Sequence, residues 1–445
     1  MQDVLHPLKG FNRERSLSDR SLRIMGVKFR NQEDGMDFKP KSYEKIKQLI
    51  EKGVEIPNPG TLDIGNEVNI DQISGKGVRI YPGCRIYGSK TVLSSRCQLG
   101  YEGPATIDNC QLGANVELKG GFFSKSVFLE KANMGMGAHV REGCILEEET
   151  GCAHTVGLKQ TILFPFVTLG SLINFCDCFM AGGTSRSNHS EVGSSYIHFN
   201  FTPDADKTTP SLLGDVPRGV MLNQPPIFLG GQGGIIGPVR LGFGNVVAAG
   251  SILRHDYPGD NQLIFEKSPA NEAKDYTPAM YPHFGRVIKN NLIYLANLTA
   301  LEAWYVQIRK PFLETREFGS LIYAGLLEQL LAAKKERLKR LKAMAGKALA
   351  SPTEYDSKRK ELLDQIGWFE ELFTGKMPEI VAATDKSRED FLNDFEKTVK
   401  DKHADYISTI QDLPAEVSRK GVTWLNGIVN AIAQKTVQAL PSTSL

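Results

Sequence analysis

The sequence has almost no surplus of charge: 53 Lys and Arg stand against 51 Asp and Glu, a net of +2 over 445 residues. A chain so balanced exerts no long-range pull on nucleic acid or on an anionic bilayer, and neither is expected as a partner. It has no run of 18 apolar residues, and its opening, MQDVLHPLKGFNRERS, lacks the apolar core of a signal peptide. The expected compartment is the cytoplasm. An even, disulfide-ready cysteine set is missing too. The seven cysteines (Cys84, Cys97, Cys110, Cys144, Cys152, Cys176, Cys178) are odd in number and belong to no small secreted scaffold, which predicts reduced thiols acting as small apolar wall residues. Cys176-Asp177-Cys178 lacks the two-residue gap of a zinc knuckle and has no second pair nearby, so no metal is assigned. Tryptophan is absent until Trp304, followed only by Trp368 and Trp424, and glycine becomes sparse past residue 270.

What the chain does have, before that point, is a period of six. Leu229, Ile235, Leu241, Val247 and Leu253 keep it without a slip, with Gly230, Gly242 and Ala248 beside them. Ile80, Ile86 and Val92 repeat it, as do Met134, Val140 and Leu146, and the pairs Ile64/Ile70 and Leu112/Leu118. Six is neither the 3.6 of a helix nor the plain 2 of a strand. It fits one short strand plus a sharp corner, with one aliphatic side chain turned inward and a small neighbour at the bend. Three such sides close a triangular coil, and coils stack by parallel strand pairing. At about 18 residues per coil, residues 60–266 supply up to roughly eleven coils. The predicted fold is therefore a parallel β-helix, left-handed on the resemblance given below, a hexapeptide-repeat solenoid followed by a C-terminal α-helical bundle.

Three regions are expected. Residues 1–59 read as a polar arm and a capping helix, YEKIKQLIEKG, with Ser42 before it and Gly53 ending it; its place is over the first open coil. Residues 60–266 are the β-helix, interrupted at 183–226, where the period fails and a loop or a loosely regular coil projecting from one flat is expected. Residues 267–445 turn helical: Leu292, Leu295, Ala296, Thr299 and Ala303 share one face, and further helices read at about 317–348, 353–373, 385–404 and 414–437, broken by Pro352, Pro378 and Pro414. The run KKERLKRLK, Lys334 to Lys342, reads mostly as a solvated helix face, since no aromatic residues interleave it.

The hexads ending in RLGFGNVVAAGSIL, the segment HVREGCILEEETGCAHTVGLKQTIL and the stretch VGSSYIHFNFTPDADKTTPSLLGD together carry a resemblance. They look like the left-handed β-helix half of the bacterial bifunctional N-acetylglucosamine-1-phosphate uridyltransferase/glucosamine-1-phosphate acetyltransferase family. The resemblance covers about residues 60–266, and its most specific part is NF-x5-K-x6-GD beginning at Asn200. Nothing resembles the family's nucleotidyltransferase half, because no Gly-rich phosphate loop precedes a βαβ pattern, so nucleotidyl transfer is not expected.

The resemblance implies site residues position by position. The family's sugar-phosphate arginine and lysine fall on Arg141 and Lys159, which neutralise a phosphate as a two-pronged donor and a point charge. The loop asparagine falls on Asn200, the tyrosine beside it on Phe201, and the loop lysine on Lys207. Ser194 and Ala248 sit where the family brings backbone amides to the acyl carrier, a coenzyme A thioester such as acetyl-CoA. The sugar-contacting tyrosine falls on Asn174. The family's general base falls on Ser171, which cannot take a proton at pH 7 as an amine attacks a thioester.

Three histidines are candidates to replace that base. His189 ranks first, for its position in the interruption beside Asn188 and Glu191; His154, in GCAHTVG, and His198 follow. Three readings remain open. The first is acyl transfer from a CoA thioester to an amino sugar or UDP-amino sugar, by a homotrimer with sites between solenoids as the resemblance implies. The second is a protein that binds a sugar phosphate or nucleotide sugar without chemistry. The third is an assembly protein whose helical region grips a protein partner.

Overall fold

Each hexad forms one side of a triangle. In the computed structural model, which describes residues 42–200, 202, 205–266, 273, 275, 283–348, 356–375, 378–399 and 405–441, short strands succeed one another around three faces. Face 1 holds ten strands from Arg79–Ile80 to Leu263–Ile264, face 2 ten from Asp63–Ile64 to Ile252–Leu253, and face 3 eight from Val92–Leu93 to Arg240–Leu241. Neighbouring strands within a face run parallel. Leu229 pairs with Val247 and Ile235 with Leu253, each 18 residues on, so the hexad column of the sequence is the physical core. Leu229, Ile235, Leu241, Val247 and Leu253 are all buried, as are Met134, Val140 and Leu146. The corners turn through left-handed backbone, at Asn109, Asn115 and Asn261 where that conformation is cheapest, but also at Arg96 and Glu149. A left-handed parallel β-helix followed by helices, as the sequence predicts, is the architecture found.

Helix α1 (Tyr43–Lys52) lies over the first coil. Its Ile46 and Leu49 are buried, Lys45 Nζ donates to the carbonyls of Gly65, Asn66 and Val68, and Gly53 closes it with φ of 106°. Ser42 accepts from the Ile64 amide at 3.3 Å instead of capping its own helix. The polar arm expected before it lies outside the described residues.

The interruption at 183–226 does not project as one loop. A hairpin of Gly183–Ser185 and Asn188–His189 is followed by strands Glu191–Val192 on face 1, Ile197–Phe199 on face 2 and Ser211–Leu213 on face 3, then by the one-turn helix α2 (Val216–Gly219). The period is lost to the eye because the inward position on face 2 is His198 instead of an aliphatic residue.

Helices α3 (Phe284–Trp304), α4 (Lys310–Glu314), α5 (Gly319–Ala348), α6 (Asp356–Thr374), α7 (Pro378–Thr398), α8 (Tyr406–Gln411) and α9 (Ala415–Ala439) follow, with a π turn at Tyr305–Arg309 joining α3 to α4. Pro378, read as a break, is the first residue of α7, where its missing N–H costs nothing. Helix α5, about 45 Å long at 1.5 Å per residue, climbs the solenoid across face 3. Glu317 near its start accepts from the Ser95 amide at 3.0 Å, Gln329 from the Gly143 amide at 3.2 Å, and Arg337 reaches Asp177. KKERLKRLK is thus only half solvated: Lys335, Lys339 and Lys342 are exposed, while Lys334 and Arg337 are buried. Among the described residues no helix is long and apolar enough to cross a membrane.

Candidate functional site

Arg141 and Lys159 meet where face 2 turns into face 3. Val140 is in register with Leu158, and the Arg141 amide donates to the Leu158 carbonyl at 2.9 Å, so the two cations are neighbours on consecutive coils. Arg141 is exposed and Lys159 partly covered. Lys159 is already ion-paired with Glu142 at 2.8 Å. Burial works against ionisation of Glu142, but the Lys159 hydrogen bond and the charges of Lys159 and Arg141 outweigh it and hold the carboxyl below its usual range. On the next coil Cys176 stands opposite Lys159, and Asp177 follows it into the corner.

Asp177 is enclosed. Arg337 of α5 donates to it at 2.5 Å, and the nearby Asn200 side chain favours its charged form. Burial nonetheless pushes its carboxyl up from the ordinary value, with Arg337 opposing. The other arm of the same guanidinium donates to the Lys207 carbonyl at 3.1 Å, and Lys207 itself has left-handed backbone at φ of 57°. Arg141, Lys159, Asn200 and Lys207 are therefore gathered around one corner. Asn174 is one step away, exposed in the middle of the face 2 strand Ile173–Cys176, opposite Gly157 and Ile197.

The opposite edge of face 2, its corner with face 1, holds Ser171, Ser194, Ala248 and His154. The Ser194 hydroxyl accepts from the Ser171 amide at 3.1 Å, and the His154 carbonyl one coil earlier accepts from the Leu172 amide at 3.2 Å. His154 is exposed, its Nδ1 3.3 Å from the Thr155 hydroxyl. The Ala248 amide is already paired with the Ile264 carbonyl at 3.0 Å, so an acyl carrier reaches it only by sharing or displacing that bond.

The remaining two histidines lie elsewhere. His189 is on the hairpin at the corner of faces 3 and 1, its Nδ1 2.8 Å from the Arg186 carbonyl and its Nε2 3.6 Å from Glu191. Within one chain that is a different corner from both clusters above. His198 points into the coil, fully enclosed, with Nε2 2.8 Å from the Ser211 hydroxyl. Ser211 Oγ accepts from the Val239 amide, which leaves its proton for the ring nitrogen. Burial, with Arg337 nearby, pushes the His198 imidazole down to about 3. It has no route to a substrate in this fold.

Sequence reasoning missed Glu142, Asp177 and Arg337. Asp177 was visible only as the centre of a failed metal motif, and Arg337 only as one letter of a basic run. Their pairing joins positions 160 residues apart and leaves no local pattern. All seven cysteines are buried and unbridged. Among the described residues no group of three or more His, Cys, Asp or Glu side chains is placed to hold a metal ion.

No protein-family model matches the chain. It is 29% identical over 215 residues to the bifunctional protein GlmU of Thermotoga maritima, covering 48% of this chain and 42% of that protein. To the protein of the same name from Carboxydothermus hydrogenoformans it is 26% identical over 233 residues, covering 52% and 46%. To that from Acinetobacter baylyi it is 23% identical over 269 residues, covering 58% and 51%. The chain thus spans about half the length of the relatives it matches. Over that half, in the solenoid that resembles their acetyltransferase-like β-helix, it is related to the bifunctional GlmU proteins.

Proposed function

We propose that the protein transfers an acetyl group from acetyl-CoA to the amine of a phosphorylated amino sugar, with glucosamine-1-phosphate the substrate the relatives suggest. The observation that carries the reading is the stacking of Arg141 and Lys159 at one corner, with Asn200 and Lys207 beside them, at one edge of the open face 2. A phosphate seated there leaves the sugar lying across Asn174 toward the opposite corner. His154 is the group assigned to take the proton, because it shares that corner with Ser171 and Ser194, and His189 does not. In the step, the sugar nitrogen bonds to the thioester carbonyl carbon, the C–S bond breaks, coenzyme A leaves as thiolate, and the ammonium proton passes to His154 Nε2.

A homotrimer fits the surface. Phe228 and Val246 on face 1, with Ile197, Phe199 and Ile236 on face 2, are exposed apolar side chains flanking one edge of the triangle, where a second copy would cover them. The reducing cytoplasm, where acyl-CoA is present, fits seven unbridged cysteines.

The test is release of free thiol from acetyl-CoA in the presence of glucosamine-1-phosphate. His154→Ala is expected to lower kcat by about a hundredfold to ten-thousandfold with KM nearly unchanged, and His189→Ala to leave both alone. Full turnover by His154→Ala would move the assignment to another group. A second reading, binding without turnover, is favoured by Ser171 in the place of the family's base and by Glu142 already occupying Lys159. It predicts that calorimetry detects UDP-N-acetylglucosamine or glucosamine-1-phosphate, that Arg141→Ala abolishes the heat, and that no thiol is released.

A further inference from the structure

The phosphate corner is not made by the solenoid alone. Three contacts from the helical region hold the segment that carries Lys207: Arg337 Nη1 donates to the Lys207 carbonyl at 3.1 Å, Asn291 Nδ2 of α3 donates to the Thr208 carbonyl at 3.1 Å, and Met344 Sδ packs 3.4 Å from the Thr208 hydroxyl, whose proton goes to Asp206 at 2.9 Å. Arg337 Nη2 anchors Asp177, which in turn engages Asn200. One side chain of α5 therefore ties the Lys207 backbone to Asp177, beside which Asn200 lies. On the solvent side of the same turn, Glu336 pairs with Arg340 at 2.6 Å and acts electrostatically on Lys159.

The charges around the corner can be paired off. Glu142 takes Lys159, Asp177 takes Arg337, and Glu336 takes Arg340. Among the described residues Arg141 and Lys207 have no carboxylate within 4.0 Å. Two cations with no such ion pair match a phosphate monoester, which carries about 1.5 to 2 negative charges at neutral pH. Glu336 works against that match, since it adds a second negative charge, after Glu142, on the side of the corner that Lys159 occupies.

Resting on the sugar-phosphate reading above, we infer that helix α5 is the second wall of the substrate site: Arg337 is a positioning residue for Asn200 and Lys207, and Glu336 sets how strongly the corner holds a phosphate. The helical region is then part of the site itself, whatever else it binds.

The experiment is calorimetric titration of the full-length protein with glucosamine-1-phosphate, and with glucosamine as the uncharged-tail control, using wild type, Glu336→Gln and Arg337→Lys. Glu336 is near the surface and its amide keeps the shape, so Glu336→Gln is expected to fold and to tighten glucosamine-1-phosphate by about two- to fivefold, an effect that shrinks with added salt. Arg337→Lys keeps the charge but loses the two-pronged grip, and is expected to weaken it by about tenfold while kcat, where turnover is measured, stays within about twofold. Opposite shifts from adjacent residues of one helix, both absent with glucosamine, are what a merely structural role would not produce. Wild type that binds the phosphorylated sugar while both variants match it overturns the inference and leaves the sugar-phosphate reading standing. Wild type that binds no phosphorylated sugar overturns both.

Discussion

Faces 1 and 3 of the triangle share one inward column of aliphatic side chains, and differ in the residue just before it. On face 3 that outward residue is Val92, Gln111, Val127, Ile145, Ile162, Phe179 and Leu212 in successive coils, all buried. On face 1 it is Gln98, Glu117, Asn133, Thr168 and Glu191, and only then Phe228, Val246 and Leu263. A strand buried on both sides reads as a continuous apolar pair, and one facing water reads as an alternation. The outward residue thus decides which flat is roofed. The helices lie on face 3, and the apolar end of face 1 stays uncovered, with Phe228 40%, Val246 41% and Leu263 63% exposed.

The sharpest break of that comparison places one carboxylate on each face. Ile145→Asp puts a charge between α5 and the solenoid, where desolvation costs upwards of about 4 kcal/mol. The variant is expected to melt far below wild type or to fail to accumulate in soluble form. Phe228→Asp, on the open face, is expected to leave the far-UV melting of the single chain little changed but to lower the mass seen by sedimentation. Equal melting of the two variants would mean that the helices do not depend on face 3 for their footing.

Next in size is the clamp at the other edge of face 3. There Arg309 is buried, pairs with Glu148 at 2.6 Å and lies over the Tyr406 ring at 3.7 Å, while Tyr305 donates to Glu147. Burial pushes the Glu147 carboxyl up, with Glu148 adding to the effect and Arg309 and Tyr305 opposing it. Removing the guanidinium by Arg309→Ala leaves two enclosed carboxyls without their cation, which should cost about 3–5 kcal/mol in a denaturant or thermal unfolding series. The same clamp at the Asp177 edge borders the proposed substrate corner, so only there should a milder change, Arg337→Lys, register in ligand affinity before it registers in melting.

How much of this was legible in the letters follows from the range of the interactions. The solenoid declares itself because each coil repeats the same local geometry: Leu229 and Leu241 announce their own inward turns. The roof over face 3 was equally present in the doublets Val127-Phe128, Ile145-Leu146, Ile162-Leu163 and Leu212-Leu213, but a period-of-six reading counts only the second residue of each. The corner holding Arg141 and Lys159 came through the family resemblance, since nothing in their spacing of 18 says that a sugar phosphate belongs there. Asp177 and Arg337 were out of reach: a buried ion pair between a solenoid corner and a distant helix obeys no periodicity. His198 misled for the opposite reason, because a histidine in the one coil that breaks the pattern looks exposed when it is the core residue of that coil.

That buried histidine supplies the smallest effect and the cleanest sign. With its imidazole pushed down to about 3 in the fold, against 6.5 for the free side chain, the unfolded chain holds a proton the folded chain refuses at every pH between those values. Stability from this group is complete above 6.5 and is lost as pH falls, by about 1.4 kcal/mol per pH unit, or roughly 2 kcal/mol at pH 5. Glu147 acts with the reverse sign: its carboxyl is raised to about 7 from 4.5, so the fold keeps a proton the unfolded chain has lost, and that contribution fades as pH rises through the same window. The two oppose each other in wild type, which is why a melting curve of the native protein alone would show little. His198→Asn removes one of them. The melting temperature of the variant relative to wild type should therefore rise when the buffer is taken from pH 7 to pH 5, and a difference that stays constant across that range would mean that the imidazole of His198 is not held neutral inside the coil.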